Sequence, residues 1–159
     1  MRRATALHLA GSWNPAAEIG QVTLAASERH RRRVALADDL GEGFLLDLAK
    51  AAQMKDGDGL ELDCGGFIRV VAAPEEVIDI ACRSGAELAR IAWHMGNRHM
   101  PIQILPDQTL RIAVDHVAMT MLEGLGASVR RQRAPFQPES GAYDPHGLAE
   151  MPAPKVKWA

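Results

Sequence analysis

The sequence predicts an α+β chain: a small all-β domain, a second domain mixing strands with two helices, and a C-terminal tail. Three observations predict it. Up to about residue 73 the apolar residues alternate with a period of two, the pattern of half-buried strands. After Ala72-Ala73-Pro74 a helix-capping sequence appears and the apolar spacing lengthens to three and four. From Pro135 onward the chain is rich in proline and has little periodicity, so a flexible or partner-ordered tail is expected.

In the first domain the alternating apolar residues are Leu7 and Leu9, Val22 and Leu24, Val34 and Leu36, then Phe44, Leu46 and Leu48, then Leu60 and Leu62. Turn chemistry separates them, with Asp56-Gly57-Asp58-Gly59 before Leu60 and Gly65-Gly66 between Cys64 and Phe67. In the second domain Val77, Ile78 and Ile80 make the first strand, and Ser84-Gly85-Ala86-Glu87 matches the capping box that opens a helix. Leu88, Ile91, Ala92 and Met95 form the apolar face of that helix. Glu87, Arg90, His94 and Asn97 lie opposite, and Pro101 stops it. Ile102 to Leu105, the turn at Pro106-Asp107, and Thr109 to Ile112 make a hairpin. Asp115 caps a second helix that runs to Gly124 or Gly126, with Val117, Ala118, Met121, Leu122 and Leu125 inward. Val129 and its neighbours supply the last strand. The order β-α-β-β-α-β is the ferredoxin-like pattern. The expected division is residues 1–73, 74–138 and a flexible tail over 139–159 that carries His146.

Composition excludes several classes of function. Eighteen basic and 20 acidic residues nearly cancel over the 159 positions, and neither domain is a polyelectrolyte. A nucleic-acid binder needs a concentrated basic face, and a single-strand reader also needs aromatic platforms, whereas this chain has three Phe and one Tyr. The run Arg29-His30-Arg31-Arg32-Arg33 is the one basic cluster and reads as a charged edge strand. Cys64 and Cys82 have neither metal-type nor redox-type spacing, and both read as packing residues. No segment approaches the ~18 uninterrupted apolar residues of a membrane helix, and the N-terminus makes a poor signal peptide. A reduced, cytoplasmic protein is expected. Phosphate-cradling glycine motifs, nucleophile elbows and zinc-protease helices are absent from the sequence, so an enzyme is not expected.

The chemistry rests on histidine, at positions 8, 30, 94, 99, 116 and 146. Histidine is the commonest side-chain ligand for nickel, copper and zinc. His94 and His99 are five residues apart, about 140° around a regular helix, so they cannot share one metal as an i, i+4 pair would. His94 sits among polar neighbours and reads as a solvated surface residue. His116 follows the Asp115 cap, where either a neutral hydrogen-bonded role or a minor second site is open. His8 and His30 read as strand-face residues without partners. On helical spacing His99 continues the row Leu88, Ala92, Met95 at the helix end. There it could satisfy the last carbonyls or bind metal. A lone imidazole chelates poorly, but a two-fold dimer would bring two together, and a His146 from each tail would make four nitrogen donors.

The segments Trp93-His94-Met95-Gly96-Asn97-Arg98-His99 and Pro101-Ile102-Gln103-Ile104 stand together with Asp115-His116-Val117 and Phe136-Gln137-Pro138-Glu139-Ser140-Gly141-Ala142-Tyr143. In these residues the chain resembles the UreE family of urease accessory proteins. The resemblance implies a nickel metallochaperone with a peptide-binding type of β domain and a ferredoxin-like metal-binding and dimerisation domain. It implies a homodimer that binds Ni2+, with Zn2+ or Cu2+ as substitutes in vitro, through His99 at the dimer interface and His146 as a later ligand. The partners it implies are the urease apoenzyme complex and the GTPase UreG. The alternative from another class is a protein-interaction module of that complex with incidental metal binding.

Overall fold

The structure is a computed structural model that describes residues 2–140, so the expected ligand His146 lies outside the described residues. The first domain contains strands β1 (Arg2–His8), β2 (Glu18–Leu24), β3 (His30–Ala37), β4 (Gly43–Gln53), β5 (Gly59–Leu62) and β6 (Phe67–Ala72). They form one sheet in the order β2-β6-β5-β1-β4-β3. β1 runs parallel to β4 and β2 to β6, and the remaining neighbours are antiparallel. The alternation read from the sequence becomes burial. Phe44, Leu46 and Leu48 of β4 and Leu60 and Leu62 of β5 enter one core with Met54, Ile68 and Val70. Each large apolar side chain fully withdrawn from water contributes about 1.5–3 kcal/mol. Leu9 is an exception: β1 ends at His8, the chain turns, and Leu9 stays 49% exposed. Gly65 and Gly66 take φ of +93° and +83° between β5 and β6, a backbone that glycine alone adopts without strain.

The second domain runs β7 (Pro74–Ala81), α1 (Gly85–Asn97), β8 (Gln103–Leu105), β9 (Thr109–Ala113), α2 (His116–Gly124), β10 (Ser128–Pro135). Its sheet has the order β10-β7-β9-β8 and is antiparallel throughout, as the ferredoxin-like reading requires. Ile78, Ile80, Leu110 and Ile112 of the sheet pack against Ile91 and Met95 of α1 and Ala118 and Leu122 of α2. Two residues assigned to this core are misplaced by the sequence reading. Val117 is 59% exposed because it lies on the flank of a nine-residue helix centred on Ala118 and Leu122. Leu125 is the C-cap, outside the helical repeat, and remains 36% exposed.

The two domains are joined by a buried cation. Arg29 opens the run that reads as a charged edge strand, yet it precedes β3 and is fully buried, its guanidinium donating to the carbonyls of Met54 (3.3 Å) and Phe136. Burial pushes its pKa down. The charged edge strand proper is β3, the last in its sheet, with Arg31, Arg32 and Arg33 exposed. Asp56 N–H donates to Gln137 Oε1 (2.9 Å) and Ala26 N–H to Glu75 Oε2 (2.8 Å) across the same joint. The segment after Pro135, expected to be irregular, is therefore held as far as Glu139. Phe136 is buried, and Glu139 N–H donates to Ile102 O at 2.7 Å.

The sheet face turned away from the helices is polar. Arg111 donates twice to Asp79 (2.6 and 2.9 Å), and Gln132 donates to the same carboxylate. The Arg111 guanidinium holds the Asp79 carboxyl below the usual range. The strands of this face carry none of the aromatics that stack bases in RNA-binding domains of this shape.

Candidate metal centre

The N-terminal turn of α1 fixes the helix that carries the candidate ligand. Ser84 Oγ accepts from Glu87 N–H at 3.2 Å, the first half of the expected capping box. The second half is shifted by one residue: Glu87 Oε2 accepts from the N–H of Arg83, at 2.6 Å, rather than from that of Ser84. The Arg83 side chain grips the same carboxylate and pulls its pKa down to about 2. A depressed carboxylate pKa stabilises the fold above the ordinary range near ~4.3, and that contribution is lost as pH falls toward 2. Carboxyl-carbon NMR is expected to find Glu87 titrating near 2, and Arg83→Met is expected to move it upward.

At the other end, Pro101 does not stop the helix; the backbone turns earlier. Met100 N–H donates to Met95 O (3.1 Å) and His99 N–H to Gly96 O (3.0 Å), the paired bonds of a Schellman motif. His99 occupies its left-handed position with φ +55°. It therefore leaves the helical row on which spacing put it. The carbonyl-satisfying role belongs to its backbone and not to its imidazole, which is exposed and has no hydrogen-bond or ion-pair partner among the described residues. α2 ends in the same motif, with Ala127 N–H on Leu122 O, Gly126 N–H on Glu123 O (both 3.0 Å), and Gly126 at φ +67°. One geometry is thus built twice, with glycine in α2 and with histidine in α1. A residue with a Cβ in this region carries a cost that glycine avoids, and such a position is a pointer to function. The partial negative charge of the helix C-terminus also favours a cation there.

The remaining histidines are dispersed. His94 is half-buried on α1, with its ring edge-on to Trp93 at 5.0 Å. His116 is exposed at the first position of α2, and His30 is exposed on β3. His8 does have partners, contrary to expectation. Its Nε2 lies 2.8 Å from Glu61 Oε2 and its ring stands edge-on to Phe67. Cys64 is exposed and Cys82 buried, and burial pushes the Cys82 thiol up. Among the described residues no three His, Cys, Asp or Glu side chains converge to hold a metal. His99 alone offers one donor, so a tight site there needs donors from a second copy or from beyond residue 140. Trp93, which the sequence reading did not weigh, is 63% exposed on the same helix. Its signal was a large apolar residue outside the apolar face of α1.

Residues 2–73 match the family described as UreE urease accessory protein, N-terminal domain, and residues 75–152 match the C-terminal domain of the same family. The chain belongs to the UreE family. Urease accessory protein UreE from Beijerinckia indica subsp. indica is 45% identical over 144 residues, covering 90% of this chain and 82% of that one. UreE proteins from two strains of Rhodopseudomonas palustris, HaA2 and BisB18, are each 47% identical, covering 91% of this chain and 66% and 68% of theirs. UreE is a family of accessory proteins rather than of enzymes, which makes urease maturation the setting for this chain. In this UreE family member Gly96-Asn97-Arg98-His99 is the capping turn of α1.

Proposed function

We propose that this UreE family member is a nickel metallochaperone. Two copies associate through the second domain, His99 from each faces the other, and His146 adds a donor from each tail. The cargo is Ni2+, passed to the urease apoenzyme with UreG as partner. In this reading residues 1–73 face partner proteins, residues 74–138 bind metal and dimerise, and residues 139–159 bring His146. The single observation that carries it is the free imidazole at a left-handed position that the other helix fills with glycine. Dimerisation follows from donor count, because an isologous interface doubles any exposed ligand. Trp93, Ile104, Val117 and Leu125 supply exposed apolar surface on the same domain. Nickel rests on family membership, since nitrogen ligands by themselves favour copper over nickel; zinc and copper are expected to compete in vitro. No helix among the described residues is long and apolar enough to cross a membrane.

Nickel calorimetry on the full chain tests this. One tight site per dimer is expected, and truncation after Tyr143 is expected to weaken it while dimers persist. Ligating imidazoles must be neutral, so affinity should fall as pH drops through ~6.5. An affinity flat between pH 8 and about 5 would overturn histidine ligation, and an unchanged isotherm after truncation would remove His146.

A further inference from the structure

β3 is the last strand of its sheet, so one side of its backbone has no neighbouring strand among the described residues. The register fixes which groups face that side. Asp38 N–H donates to Glu42 O at 3.0 Å, which makes Asp38 and Glu42 a hydrogen-bonded pair. Such pairs alternate along an antiparallel ladder, so Leu36 with Phe44 and Val34 with Leu46 are bonded pairs too. The N–H and C=O groups of Arg33, Ala35 and Ala37 therefore point outward, away from β4. The side chains divide by face in the same rhythm. Val34 and Leu36 pack against the core yet remain half-buried, an apolar flank left partly uncovered. On the opposite face stand Arg33, Ala35 and Ala37, with Arg33 Nε 3.6 Å from Asp47 Oδ1. Arg3 donates to Asp47 as well, and Arg3, Arg33 and Arg32 hold that carboxyl below the usual carboxylate range. Arg31 and Arg32 have no carboxylate partner among the described residues, so positive charge is in excess along this edge.

We propose that the β3 edge takes up an extended segment of a partner protein as an added antiparallel strand, with acidic side chains on the Arg33 face alternating with apolar ones beside Val34 and Leu36. Main-chain bonds to Arg33, Ala35 and Ala37 supply the affinity, and the side chains, alternating with a period of two, supply the choice of partner. A second copy of β3 does not fit, because its own arginines would lie opposite these and like charges across a strand pair repel. A nucleic acid has the right charge, but β3 carries no Phe, Tyr or Trp on which bases could stack. This deepens the reading that residues 1–73 face partner proteins and does not depend on nickel.

The test uses the full-length protein and a blocked synthetic peptide that alternates glutamate with valine, followed by fluorescence anisotropy and amide hydrogen exchange. Binding is expected to slow exchange at Arg33, Ala35 and Ala37. In an antiparallel strand with its acids on the Arg33 face, the glutamate nitrogens are the ones that meet β3. Methylating them is therefore expected to abolish binding, while methylating the valine nitrogens leaves it intact. Ala35→Pro keeps the charge and the β4 ladder but removes one outward donor, a substitution that edge strands tolerate, and should weaken binding up to about tenfold. Arg32→Gln and Arg33→Gln should each weaken it roughly 2–5-fold. Equal losses from the two methylated peptides, which require no change in the protein, would reduce the effect to charge attraction and overturn strand addition. An oligothymidylate of equal charge that binds as tightly would overturn the choice of a protein segment. Slowed exchange elsewhere in the first domain would overturn the β3 edge while leaving that domain a partner surface, and no binding at all would overturn the proposal outright. Nickel calorimetry on Ala35→Pro is expected to match the parent, so failure of the metal reading and failure of the strand site are read separately.

Discussion

Replacing His99 with glycine is expected to leave the protein as stable as before or more so, while removing the proposed nickel site. The left-handed backbone at His99 costs a residue with a Cβ about 1–2 kcal/mol. Glycine relieves that cost but gives back about 0.4–1 kcal/mol through the greater freedom of the unfolded chain. The net gain is 0 to about 1.6 kcal/mol, or up to ~6 °C in Tm for a chain of this size. His99→Ala keeps the backbone strain and loses the same ligand, so its Tm should stay at or just below the parent value. Changing groups that merely orient a metal ligand costs about 10–100-fold in affinity, so losing the ligand itself from both chains should exceed about 100-fold. Metal-free thermal unfolding and nickel calorimetry on the two variants check this together. A glycine variant clearly less stable than the alanine variant would show that the backbone there is not left-handed. Undiminished nickel affinity in either variant would overturn the site.

Arg29→Ala is expected to destabilise the fold by roughly 2–4 kcal/mol, the largest loss for any arginine in the chain. Its guanidinium is fully buried and serves the carbonyls of Met54 and Phe136, and its Nε has no partner among the described residues. Truncation leaves two buried acceptors unpaired, at about 1–3 kcal/mol each, and opens a cavity, partly offset by no longer burying a charge. Arg29→Met refills the volume and should recover part of the loss. Because Arg29 joins the two sheets, its removal is also expected to split the denaturation curve toward two transitions. Arg31→Ala and Arg32→Ala, exposed on β3, should fall within about 0.5 kcal/mol of the parent. If all three variants behave alike in urea denaturation, Arg29 is not the joint described here.

The candidate site was legible in outline. Gly96-Asn97-Arg98-His99 marks a candidate ligand at a helix end, and the glycine, proline and capping signals place both helices and most strands. Helical spacing then carried His99 onward along the apolar row, because a periodic reading assumes that the helix continues. The structure turns the chain at Arg98 instead, and the imidazole leaves the row. Arg29 was misread for a related reason. Next to three exposed arginines it looks like one of them, and the atom that explains it, Phe136 O, lies 107 residues away. Glu61 is likewise 53 residues from His8, whose pairing no local pattern announces.

By itself the sequence determined the α+β class, the order of the elements, the N-caps of both helices and the histidine proposed as ligand. Each of these depends on side chains within a few positions of one another, where periodicity and capping chemistry act. Only the tertiary structure decided that His99 holds a left-handed turn, that Arg29 locks the two domains, and that the segment after β10 crosses the sheet to end beside Ile102. Those outcomes depend on burial and on hydrogen bonds between residues far apart in the chain. Their energies exist only once the sheets have formed.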